Sequence, residues 1–168
     1  MPYTFSVYVR DRPGVLSRVT SMFHKYGLNI GAFTVGPTQE PGISCMIIGV
    51  DLVPEKSRHV EANLYKLLDV VLVRMNSDVA TFTRELALIK IKVQQNPEAC
   101  IDQLSDGCQI QVLAQERGAA IVEITGRSEQ IDALVEIFRP CGILEMVRTG
   151  CLPIETGSAN RIAKPRSS

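Results

Sequence analysis

The sequence predicts an α+β protein made of two tandem βαββαβ units, the split-βαβ or ferredoxin-like arrangement. Three observations predict it. The chain has 168 residues, enough for one medium domain or two small ones. Its hydrophobic share is 45% and its charged share 21%, a globular balance rather than a disordered one. The hydrophobic periodicity runs strand, helix, strand, strand, helix, strand, and that order then returns.

Each element has its own reason. Thr4 to Arg10 alternates, with Phe5, Val7 and Val9 on one face, and reads as a strand. A helix follows, with Val15, Leu16, Val19, Met22, Phe23 and Tyr26 at the spacing of a single helical face. Asp11 is its candidate N-cap, and Pro13 suits a first turn, where no N–H is needed. Gly27 is placed to stop it in the left-handed conformation. Asn29 to Gly36 is the second strand and Pro37 to Gly42 a turn. Ile43 to Leu52 is nearly continuously apolar, so this third strand should be central or buried on both faces. Pro54 opens a second helix with Val60, Leu64, Leu67 and Leu68 inward, and Val70 to Met75 closes the unit.

The first domain is therefore set at 1–76, with a polar linker at 77–85. The second domain, 86–157, repeats the pattern. Leu86 to Val93 is a strand, and Pro97 to Leu104 a short helix with Cys100, Ile101 and Leu104 inward. Gln109 to Gln115 and Ala119 to Thr125 are strands around a turn at Gly118. Ser128 is placed to cap a helix burying Ile131, Leu134, Val135 and Phe138, and Gly142 to Arg148 is the final strand. Residues 158–168 read as a polar, basic, disordered tail. A unit of this size buries a small core and leaves one sheet face bare and two edges unpaired. A homodimer is the physical expectation.

Composition narrows the function. Lys and Arg number 18, as do Asp and Glu, so there is no basic field for nucleic acid. Two histidines, His24 and His59, lie on outer helix positions without a neighbouring ligand set, so neither a metal site nor a His-based catalytic site is expected. No apolar run approaches a membrane span and no signal peptide is evident. The five cysteines show no CxxC spacing and read as buried free thiols of a reducing, cytoplasmic setting. RNA-binding modules of the same strand order need exposed aromatics on the central strands, and Ile43 to Ile48 has none.

The most informative segment is Val9 to Thr34. At Gly14 a ligand can approach the backbone closely, and the amides of Gly14, Val15 and Leu16 open a helix. With the macrodipole behind them they suit a carboxylate. Asp11 can accept hydrogen bonds from an ammonium group, and Asn29 offers a donor and an acceptor. Together these groups match both ends of a free amino acid, completed across a dimer. The plainer reading is that Asp11 only caps the helix and Asn29 only shapes a turn.

The run Asp11-Arg12-Pro13-Gly14-Val15-Leu16, then a helix, then Gly27-Leu28-Asn29-Ile30, resembles an ACT domain. Further stretches, Gly27 to Thr38, Lys66 to Val73, Arg84 to Ile91 and Glu145 to Gly150, resemble the small regulatory subunits of acetolactate synthase over about residues 3–157. The resemblance implies a non-catalytic chain with an ACT domain at its N-terminus. Such a chain would bind and activate a catalytic large subunit that carries thiamine diphosphate, Mg and FAD, none of them held here. It would confer feedback inhibition by valine or a related branched-chain amino acid. Carried onto this sequence, Gly14 and Val15 amides hold the effector's carboxylate, and Asn29 and Ile30 of the other subunit reach its amino group. Where some relatives with a valine site carry Asn, this chain has Asp11, which favours an ammonium and repels a carboxylate. The alternatives are a stand-alone amino-acid sensor acting on another enzyme or regulator, and, third, an enzyme using Cys45.

Overall fold

The computed structural model describes residues 2–76, 81–92, 107–116 and 118–157. It forms two compact units. The first runs to Phe82 and takes the chain back from Pro153, and the second is Thr83–Leu152.

The first unit contains β1 (Pro2–Arg10), α1 (Val15–Lys25), β2 (Ile30–Pro37), β3 (Ile43–Asp51), α2 (Pro54–Leu64) and β4 (Val70–Met75). Its sheet is antiparallel with order β2-β3-β1-β4. The apolar run of β3 is thus central, as expected. One face of the sheet is closed by the helices: Phe5, Val7, Val9, Met46, Ile48, Val50 and Val73 pack with Val15, Val19, Met22, Phe23, Val60 and Leu64. Of the face expected for α1, Leu16 and Tyr26 remain exposed. In α2, Leu67 only packs partly against the core, and Leu68 is 86% exposed. The helix ends at Leu64, so both leucines lie beyond it and leave its periodic face.

The C-terminus of α1 carries the stop read from Gly27. Gly27 takes φ +64°. Its N–H donates to the His24 carbonyl (2.9 Å) and that of Leu28 to the Phe23 carbonyl (3.0 Å). These are the paired bonds of a Schellman motif, which satisfy carbonyls the helix leaves without partners.

The second unit contains β5 (Thr81–Lys92), β6 (Gln109–Glu116), β7 (Ala119–Gly126), α3 (Ser128–Phe138) and β8 (Ile143–Arg148), with β9 (Leu152–Glu155) at the boundary. The strand order is β6-β7-β5-β8, and β9 pairs with β5. Ala87, Ile89, Ile91, Ala120, Val122 and Ile124 meet Ile131, Leu134, Val135 and Phe138 of α3.

Three expectations need correction here. β5 begins at Thr81, inside the stretch read as linker at 77–85, because Thr81 to Glu85 alternates in exposure like the strand it continues. Among the described residues the final strand is β9, not β8. Ser128 is the first residue of α3 rather than its cap: the backbone N–H of Arg127 is taken by Gln130 Oε1 (2.8 Å), and the Ser128 hydroxyl donates to Glu85. The helix expected at Pro97–Leu104, with Cys100, and the tail at 158–168 lie outside the described residues.

Candidate functional site

The loop between β1 and α1 is fixed where it leaves the sheet. The Arg10 N–H donates to the Asp69 carbonyl (2.9 Å) and that of Asp11 to the Gly42 carbonyl (2.8 Å). Gly14 is then the N-cap of α1, at φ +83°, a conformation that favours glycine. Asp11 is therefore not the cap. It stands three residues too early and is exposed, and Pro13 precedes the helix instead of opening it. The left-handed turn at Gly14 brings the Val15 N–H to the Arg12 carbonyl (3.3 Å), so a backbone acceptor stands where a side-chain cap was expected. The Asp11 carboxylate is not used in capping.

Gly14, Val15 and Leu16 are brought together at the start of α1, as read from the sequence. Val15 is anchored in the core, which fixes its backbone, while Leu16 is exposed. One turn on, Arg18 closes the first helical bond to the Gly14 carbonyl (3.1 Å). Its side chain folds back toward the helix start, as helical side chains do. Its Nη1 lies 3.1 Å from where a Cβ on Gly14 would stand. Its Nη2 donates to Asp69 Oδ2 at 2.5 Å. The Asp69 side chain is only 7% exposed, and Arg12 Nη1 is 3.9 Å from Oδ1. Sequence reading missed Arg18 and Asp69. Arg18 has a local signal, one helical turn after Gly14. Asp69 lies 51 residues further along and has none.

Asn29 and Ile30 are elsewhere in the same chain. Arg10, just before the Gly14 loop, pairs with Ile43 at one end of β3. Ile30 pairs with Val50 near the other end. Seven residues of strand separate these positions, roughly 23 Å at the rise of a β-strand. A single chain therefore does not gather Gly14 and Asn29 into one site. Asn29 is exposed and Ile30 half-buried.

On the sheet face away from the helices, Tyr8 pairs with Cys45 in register. The Arg74 guanidinium lies 5.5 Å from the Tyr8 ring centroid and is ion-paired to Glu155 (3.0 Å). Burial pushes the Tyr8 hydroxyl and the Cys45 thiol above their usual ionisation, and the two are hydrogen-bonded. Cys45, Cys108, Cys141 and Cys151 are half-buried thiols, less enclosed than expected. The exposed His59 ring meets Tyr26 edge-on at 5.4 Å. Among the described residues no group of three His, Cys, Asp or Glu side chains could hold a metal, and no helix is long and apolar enough to cross a membrane.

In the second unit the stretches Arg84 to Ile91 and Glu145 to Gly150 meet. Buried Glu85 accepts from Arg148 Nε (2.6 Å) and from the Ser128 hydroxyl (2.5 Å). Arg148 Nη1 also donates to Asp132 (2.6 Å). The Thr149 hydroxyl accepts from the Leu86 N–H (3.1 Å), and the Thr149 N–H donates to the Leu86 carbonyl (3.0 Å). The bond to Glu85 holds Arg148 more firmly protonated than an ordinary arginine. Two motifs whose bonded residues lie 63 positions apart are thus one network, stapling β5 to β8 and α3.

Comparison with known proteins agrees with this architecture. Residues 5–72 match the model of the ACT domain of acetohydroxyacid synthase small subunits. Residues 84–157 match that of the small subunit of acetolactate synthase. The chain is 38% identical over 160 residues to a Methanothermobacter thermautotrophicus protein named "Probable acetolactate synthase small subunit", covering 93% of this chain and 94% of that one. It is 30% identical over 168 residues to the Bacillus subtilis acetolactate synthase small subunit, covering 99% and 98%. The crystal structure of the Thermotoga maritima small subunit superposes with a TM-score of 0.81 at 26% identity, over 95% of this chain and 99% of that one. Two units in tandem, an ACT domain first and a stapled second sheet, with both matched in order by the same family, place this chain among the small, regulatory and non-catalytic subunits of acetolactate synthase.

Proposed function

We propose that the chain acts as a homodimer joined along the β2 edges, binds a branched-chain amino acid of the valine class at each paired Gly14 and Asn29, and confers feedback inhibition on a catalytic large subunit that it also activates. The complex is cytoplasmic, and thiamine diphosphate, Mg and FAD belong to the catalytic subunit. The observation that carries this is the separation of Gly14 from Asn29 in one chain. Antiparallel pairing of β2 with its copy reverses one strand against the other. The Asn29 end of one chain then falls beside the Pro37 end of its partner. Pro37 pairs with Ser44, next to the Ile43 end of β3, where the Gly14 loop leaves the sheet. The pairing thus joins the two half-sites.

The edges favour the same choice. The outer N–H and C=O of Val73 on β4 are both bonded to the Tyr65 hydroxyl at 3.1 Å, which closes that edge. On β2, Val35 is an exposed apolar residue at the opposite edge. Inhibition then requires that the amino acid bind the less active arrangement more tightly, since a ligand shifts an equilibrium only by its differential affinity.

The test is to purify the chain with its catalytic partner and follow pyruvate condensation with and without valine, leucine and isoleucine. The chain should raise the rate and make it sensitive to at least one of them. Gly14→Asp should abolish sensitivity and spare activation, because its carboxylate would stand against Arg18 and the helix amides. A partner indifferent to the chain's presence, or full inhibition of the Gly14→Asp complex, would overturn the reading.

A further inference from the structure

We propose that Arg18 is the charged contact of the effector's carboxylate, and that Asp69 is the positioning residue that holds its guanidinium at Gly14. This rests on the Gly14 loop being the effector site. Backbone amides alone make a weak and unselective anion site, and that of Val15 is already given to the Arg12 carbonyl. Here a guanidinium joins them: Arg18 Nη1 stands 3.1 Å from the Cβ position of Gly14, at the mouth of the helix start. The guanidinium has two faces to offer, and its second nitrogen, Nη2, is held by Asp69. That bond fixes the fork, so little side-chain freedom remains to be lost when a carboxylate arrives.

The state of Asp69 points to a ligand. Its side chain is more than nine-tenths buried, yet Oδ1 has no hydrogen-bond donor. A buried carboxylate oxygen left this way is costly. It is turned toward the loop that carries Gly14, with Arg12 Nη1 at 3.9 Å, beyond a hydrogen bond. Closure of the loop on the ligand lets Arg12 reach Oδ1 and supply the missing donor.

The experiment uses the full chain, with valine and valinamide as probes in calorimetry. Valinamide keeps the side chain and the amine and lacks the carboxylate. Asp69→Asn alone loosens Arg18. Arg18→Gln alone strands a buried charge, so the charge-balanced double variant Arg18→Gln/Asp69→Asn is measured too, after its thermal unfolding shows a fold. Both Asp69→Asn and the double variant should lower valine affinity, the double variant by about tenfold to a hundredfold. Valinamide affinity should not change, so the preference for the acid over the amide collapses. Arg18→Lys should recover part of it, as a point charge replaces the fork. Equal weakening of both probes would mean a merely structural role and overturn the proposal. So would unchanged valine binding in the double variant; if Gly14→Asp still abolished binding, the effector site itself would stand. Wild-type protein that binds no branched-chain amino acid would remove the effector site and this assignment together.

Discussion

Cys45 and Tyr8 face each other across β3 and β1, on the side of the sheet the helices leave open. Burial is the first cause of the raised ionisation of both, from the usual 9.0 for the thiol and 10.0 for the phenol. A group that ionises later in the folded chain than in the unfolded one favours the fold as long as both forms stay protonated. Its contribution is therefore complete below about pH 9 and is lost as pH climbs through the folded value. Cys45→Ser should melt at a nearly unchanged temperature near neutral pH and should lose less than wild type between about pH 9 and pH 11. Parallel loss in the two proteins would show that this thiol does not govern the alkaline limb. The pair was not legible in the sequence as a pair. Cys45 read as one more apolar residue of a strand, and only the register of β1 on β3 reveals what it faces.

The elements were more legible than their ends. Where a period was long and ended in a special residue, as in α1 with Gly27, the reading and the structure agree closely. It failed where another group did the work expected of the candidate cap. Asp11 and Ser128 both looked like caps, but the Arg12 carbonyl meets the first amide of α1 and Gln130 the amide before α3. Tyr65 likewise gave no sign of its role. It lies just past α2 and seals the outer edge of β4 through both polar groups of Val73. Tyr65→Phe should cost about 1 kcal/mol, since two backbone groups lose their partner at a half-open edge. It should also raise light scattering on mild heating, because an unsealed edge invites pairing. Equilibrium denaturation and scattering together decide: unchanged stability and solubility would mean that water replaces the hydroxyl at no cost.

At the scale of the whole molecule, site and dimer are one question. The sequence brought Gly14 and Asn29 to notice together, but nothing local says that they sit at opposite ends of a sheet. Strand order does. Two copies paired along β2 would also bring the two Val35 side chains toward the shared edge. Val35→Glu should therefore turn a dimer into a monomer in sedimentation, because it sets a charge against the partner strand and removes apolar burial. The same variant should lose valine affinity by about tenfold or more, while its monomer keeps its helical and strand content by circular dichroism. A variant that stays dimeric and binds valine normally would place the dimer contact on another surface.

The ion pair of Arg74 with Glu155 has a consequence in time. Arg74 is made when the first sheet is nearly complete, but its partner is translated only after the whole second unit. At ordinary synthesis rates of about 5 to 20 residues per second, those roughly 80 residues take several seconds to more than ten. For that interval the arginine over Tyr8 in the nascent first unit lacks its carboxylate partner, and it gains Glu155 only as β9 emerges.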